Sequence, residues 1–167
     1  MDSIVQIAKD YSLPVIADGA AALGATYKGR PSGKLGANLT VYSFNGNKTV
    51  TSGGGGAVVG DDTDLLKLVR HLSNTAKVGE DYHHDRVGFN YRMTNIAAAV
   101  GCAQVERLAE FVAIKRKIQT TYNEALMNLS GAGIFPDPYG IEGACWLSGI
   151  TMPNVESAES LRGQLKE

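Results

Sequence analysis

The stretch Tyr42-Ser-Phe-Asn-Gly-Asn-Lys-Thr-Val-Thr-Ser-Gly-Gly-Gly-Gly56 decides how this chain is read. Two β-type runs, Leu39-Thr-Val-Tyr42 and Ala57-Val-Val59, flank a segment of small residues that holds a single lysine, Lys48. That lysine has no helical partner four residues away and no long charged neighbour. An amine placed where desolvation lowers its pKa meets the chemical requirement for condensation with an aldehyde. A lysine at a strand end ordinarily points into water, so the surrounding chain has to decide between the two readings.

Outward from this stretch the pattern is α/β. Ser3 to Asp10 carries Ile4, Ile7 and Ala8 at helical spacing, with Asp2 or Ser3 as its cap. After Pro14, Val15-Ile16-Ala17 reads as a buried strand ending at Asp18, and Gly29, Pro31, Gly33 and Gly36 mark a loop. Beyond the glycines, Asp62, Thr63 or Asp64 opens a helix through Leu65, Leu66, Leu68, Val69 and Leu72. From Thr94 or Asn95 a helical pattern continues through Val100, Leu108, Val112, Ile118 and Tyr122 to Leu129. It exceeds the common helix length, which predicts a kink or a domain crossing between Phe111 and Lys115. Ala144 to Met152 reads as one more strand, and Ser157 to Leu165 as the start of another helix. A lone strand and helix cannot bury both faces of a sheet, so the pattern predicts a piece of a longer protein lacking material on both sides.

Composition narrows the function classes. The 167 residues suffice for a domain with a core, with 44% hydrophobic and 20% charged residues. Sixteen basic and 17 acidic residues give a formal net charge of −1, which offers no electrostatic case for nucleic acid or membrane surfaces. Cys102 and Cys145 have no disulfide or metal-ligand pattern, and Cys102 in its small-residue helix is expected to be buried. Unpatterned cysteines, with no leader or spanning segment in view, fit a reducing, cytoplasmic setting.

Several side chains near Lys48 carry usable chemistry. Asp18 ends a strand where ligand groups of parallel α/β sheets gather, and a carboxylate there can keep a ring nitrogen protonated. The competing role is a plain Asp-Gly turn. Ser43 offers a short hydroxyl suited to a phosphate oxygen, and the turn Asn45-Gly-Asn47 can present backbone N–H groups to an anion. The glycines 53–56 let the backbone pass close to a ligand or another strand, but they match neither the Rossmann nor the Walker spacing. His71, His83 and His84 lack metal spacing; the polar loop Tyr82-His-His84 reads as solvated, with a substrate contact as the alternative.

Three segments occur in order: Ala17-Asp-Gly-Ala-Ala-Ala-Leu-Gly-Ala-Thr-Tyr-Lys-Gly29, the lysine stretch, and Val87-Gly-Phe-Asn-Tyr-Arg-Met-Thr-Asn95. Together they resemble the sugar aminotransferases of the DegT/DnrJ/StrS type, and the resemblance covers nearly the whole chain. It implies a partial type I fold of pyridoxal phosphate (PLP)-dependent transferases. Residues 1–112 would be part of the large-domain sheet with its helices. Residues 113–167 would be the long connecting helix and the start of a small α+β domain.

The resemblance also implies roles. Lys48 would join covalently to PLP and shuttle protons, Asp18 would hold the pyridine nitrogen protonated, and Ser43 would bind the cofactor phosphate. Asn90 and Arg92 would reach the phosphate in a second subunit's site, making a homodimer with shared active sites. The implied substrates are an amino-acid donor such as glutamate and a nucleotide-linked keto-sugar, in glycan or glycosylated-metabolite biosynthesis. Ala21 departs from the family, which commonly has glutamine, histidine or glutamate there, near the cofactor's ring oxygen. Related sugar dehydratases carry histidine in place of the lysine, so Lys48 favours transamination over dehydration. The rival expectation is a catalytically incompetent fragment of such an enzyme, because neither a second phosphate-binding turn nor a stacking aromatic is visible.

Overall fold

The structure is a computed structural model and describes residues 1–166. Helix α1 spans Asp2–Asp10, followed by strand β1 at Ile16–Asp18 and a short hairpin of β2, Thr26–Tyr27, and β3, Arg30–Pro31. The central strands are β4, Leu39–Ser43, and β5, Gly56–Val59. Helix α2, Thr63–Ser73, precedes the small pair β6, Lys77–Val78, and β7, His83–His84. Helices α3, Asn95–Glu106, and α4, Leu108–Leu126, lead to β8, Gly133–Ile134, β9, Ile141–Glu142, β10, Ile150–Thr151, and α5, Val155–Gln164.

The principal sheet has the order β1-β4-β5, with β1 parallel and β5 antiparallel to β4. β4 is the middle strand, which is why Leu39 and Thr40 are buried at its start. The expectation of a buried first strand is corrected: β1 has a single neighbour, and Ile16 is 67% exposed at the edge. Helix α1 lays Val5 against Gly36 and fastens its first turn through Asp2. Asp2 accepts from Lys28 Nζ at 2.8 Å and from Arg30 at 2.7 Å, and these two cations hold its carboxyl down at about 2.

The helical pattern breaks at Arg107, not between Phe111 and Lys115. Arg107 adopts φ −102° and ψ 10°, and its guanidinium turns forward onto Glu110. Apolar periodicity runs across this break without proline or glycine, so it gave no signal. Cys102 is exposed, contrary to expectation. Gly101 occupies the buried position facing the loop at Phe44 and Ser52, and the next residue is rotated about 100° away. The strand expected over Ala144 to Met152 contracts to β10. Lys115 and Arg116 on α4 bond the carbonyls of Trp146 and Gly143, and Cys145 is left-handed at φ 50°, so this backbone joins no ladder. β9 instead pairs with β2, attaching the C-terminal part to the first hairpin.

Candidate active site

β1 and β4 run parallel, so their C-terminal ends reach the same edge of the sheet, where ligands of open α/β sheets collect. Asp18 pairs with Val41, and Ser43 lies two residues further along β4. Paired residues share a face and strand side chains alternate, so Asp18 and Ser43 project from the same side. Asp18 is exposed, and its Oδ1 accepts the N–H of Ala20 at 3.0 Å. The turn role weighed against cofactor binding is therefore present alongside the position that binding requires.

The chain after β4 closes on itself. Phe44 N–H donates to Gly55 O and Ser52 N–H to Phe44 O, both at 3.0 Å, and Lys48 N–H donates to Asn45 O at 3.0 Å. Val50, 1% exposed, pins the middle of this loop into the protein. The Asn45 N–H is already used on Ser43 Oγ at 3.3 Å. Of the four glycines only Gly56 is required by close approach to another strand, and Gly53 and Gly54 face open space. A Cβ on Gly56 would overlap the Tyr42 carbonyl across the ladder, and Gly55, at φ +79°, would bring one to 2.8 Å from Met93 Cγ.

Lys48 and Ser43 line one crevice with Ala20, Ala21, Leu23 and Trp146. Ala20, Ala21 and Leu23 make one wall of the crevice apolar. Lys48 is half-buried, with Nζ 3.6 Å from the centre of the Trp146 ring. Trp146 is the site residue that sequence reading missed. Its signal was faint: a lone tryptophan among small residues, almost 100 positions from the lysine it touches.

Asn90 and Arg92 do not line this crevice. Both are exposed on the segment between α2 and α3, where Asn90 bridges Asn74, and Phe89 stacks on Tyr91 at 5.1 Å. Met93, against Gly55, places Arg92 beside the glycine run, and Thr94 Oγ1 caps α3. Tyr82 lies exposed just before β7. His84 Nδ1 is 2.7 Å from Thr75 O, and His71 Nε2 lies 2.7 Å from Asp85, whose carboxyl it holds below its ordinary value. Burial pushes the Cys145 thiol above its ordinary value.

The donor set suits pyridoxal phosphate: an amine for the aldehyde carbon, a hydroxyl for the phosphate, and a carboxylate on the same sheet face. Comparison with known proteins agrees. The chain is 39% identical over 168 residues to EpsN of Bacillus subtilis (strain 168), named for pyridoxal phosphate-dependent aminotransfer, covering 100% of this chain and 43% of that protein. It is 38% identical over 168 residues to the GDP-perosamine synthase of Escherichia coli O157:H7, covering 100% and 45%. The crystal structure of S. venezuelae DesV in complex with a ketimine intermediate superposes with a TM-score of 0.88 at 26% identity, covering 98% of this chain and 44% of that one. The chain thus spans a little under half the length of the curated relatives it matches. With the fold shared and the family model for DegT/DnrJ/EryC1/StrS aminotransferases matched across residues 1–167, this chain belongs to that family.

Proposed function

We propose that this chain is the cofactor-holding portion of a PLP-dependent sugar aminotransferase. The enzyme takes an amino group from an amino-acid donor such as glutamate and places it on a nucleotide-linked keto-sugar. The observation that carries the reading is the meeting of Lys48 and Ser43 in one crevice beyond β1 and β4, with Asp18 on the same face. Lys48 in place of histidine favours aminotransfer over sugar dehydration, and the relatives named GDP-perosamine synthase point to nucleotide-sugar substrates.

Pyridoxal phosphate, when bound, supplies an electron sink that lets the bonds of an amino-bearing carbon ionise. The chain's own groups do the rest. Lys48 Nζ would anchor the cofactor at its aldehyde carbon and, once freed by the incoming amine, would carry a proton between that carbon and the substrate carbon. Asp18 holds a proton on the pyridine nitrogen by charge. Ser43 Oγ donates to a phosphate oxygen, and the apolar Ala21 wall excludes water from the ring-oxygen side.

Asn90 and Arg92 serve the crevice of a second copy, with the planar guanidinium fork matched to phosphate. Val87, Tyr91 and Ile96, close to those two residues in sequence, are 84%, 77% and 81% exposed, and such exposed apolar side chains support an interface here. The division lies at residues 112 and 113: 1–112 belong to the large domain, and 113–167 form the connecting helix and the start of the small one. The setting is cytoplasmic.

A second reading concerns the chain taken alone. Among the described residues its buried apolar set is small: Val5, Leu39, Val50, Ala76, Val112 and Ala144. So thin a core holds the crevice loosely, and the isolated chain turns over weakly or not at all. The test is treatment with PLP and then borohydride, followed by peptide mass analysis. A pyridoxyl adduct on Lys48, absent in Lys48→Ala, is expected; its absence in the parent chain sinks the claim that these residues suffice to hold the cofactor.

A further inference from the structure

Trp146 is the chain's single tryptophan, and the fold carries it to Lys48 from the far end of the sequence. The lysine Nζ sits over the indole at 3.6 Å from its centre, and the indole N–H donates to Asn47 O at 2.6 Å. One contact fixes the edge of the ring, and the other aims its face at the amine. The supporting loop is itself braced. Arg116 Nε donates to Gly143 O at 2.9 Å, Lys115 Nζ to Trp146 O at 3.2 Å, and the Asp137 carboxylate accepts from Gly143 N–H at 3.1 Å. Between Ala144, which is 4% exposed, and Trp146, Cys145 holds a left-handed φ of 50° that a residue with a side chain seldom adopts. With the indole in place, the crevice leaves no room for a water molecule.

We infer that Trp146 is a positioning residue for Lys48 and a displaceable cap over it. The π face holds the ammonium at the crevice and shields it from stray electrophiles, and the ring moves aside when the cofactor enters. Nζ rests on the indole face, so an aldehyde carbon entering through the crevice meets the ring before the amine. A cation–π contact is weak enough to be exchanged for a better-fitting ring yet strong enough to bias reactivity. The inference rests on reading Lys48 as the cofactor-binding amine, but the contact can be tested without the cofactor.

The test is reductive methylation of the full chain with formaldehyde and cyanoborohydride, read lysine by lysine by peptide mass. In the parent chain Lys48 should label more slowly than the exposed Lys9 and Lys117. Trp146→Ala should raise the Lys48 rate about 2- to 30-fold, the range set by the strength of such contacts, and leave Lys9 and Lys117 unchanged. Trp146→Phe, which keeps a π face, should give a smaller rise. Should Trp146→Ala unfold the chain, the ion-paired Lys28 and Lys34 will speed up with Lys48, and Trp146→Phe then decides. A second readout is acrylamide quenching of the lone tryptophan, expected to increase in Lys48→Met. An unchanged Lys48 rate in a folded Trp146 variant, or quenching indifferent to Lys48→Met, overturns the inference. A labelling pattern as expected, with no pyridoxyl adduct in either the parent chain or Trp146→Ala, instead overturns the cofactor reading and leaves the contact standing.

Discussion

In the proposed reading Asp18 does two things with one carboxylate, and they can be separated. Its Oδ1 closes the turn onto Ala20 N–H, a task an amide oxygen performs equally well. In that reading its charge acts only on a bound cationic ring. Asp18→Asn should therefore leave the urea midpoint nearly unchanged while weakening PLP retention about tenfold, the difference between a charge-assisted and a neutral hydrogen bond. A parallel fall in stability would count against this division of labour. The glycines make the opposite case, since their effect is steric. Gly55→Ala forces a side chain into φ +79° against Met93 and should cost about 1–3 kcal/mol in a urea melt, with or without cofactor. The site was unevenly legible for similar reasons. Lys48, Ser43 and Asp18 lie on short, locally patterned segments whose chemistry shows in their neighbours. Trp146 reaches the site through a turn fixed by side chains of α4, and no local pattern encodes that contact.

Local caps were read correctly for α2 and α3, but α1 begins after Met1 with no side-chain cap from Asp2 or Ser3, and the Asn154 cap of α5 was missed. Helix α2 begins where Asp62 accepts from the N–H groups of Asp64 and Leu65, both at 2.9 Å. Asp62→Ala should lower stability by about 1 kcal/mol through those two donors, measured by urea denaturation. The edge placement of β1 depends on which strands pair with β4, and the contraction of β10 on the Lys115 and Arg116 side chains of α4, so neither shows in its own local pattern. Helix α1 adds a pH dependence. The Asp2 carboxyl is lowered from 3.8 to about 2 in the folded chain, chiefly by hydrogen bonds from Lys28 and Arg30. A depressed carboxyl contributes stability that is complete above its unfolded pKa and is lost as pH falls through its folded one. Asp2→Asn should remove that dependence between about pH 4 and pH 2, so that thermal melts of the variant change less across this window than those of the parent.

The proposed sharing of sites makes a prediction about mixtures. If Lys48 works in one copy with Arg92 from another, neither Lys48→Ala nor Arg92→Ala should retain PLP through gel filtration. An equal mixture, dissociated and reassembled, should recover about one quarter of the sites: half the pairs are mixed, and each mixed pair holds one complete site. No recovery would place Arg92 outside the partner's crevice. Among the described residues no helix is long and apolar enough to cross a membrane. The pairing of β2 with β9 has a further consequence, in time. Thr26 meets Glu142 across 116 positions. At about 5–20 residues per second, a ribosome needs on the order of ten seconds to supply the second strand after the first. For that interval the β2 edge stands open, and the growing chain is most exposed to mispairing while Lys48 has already been made.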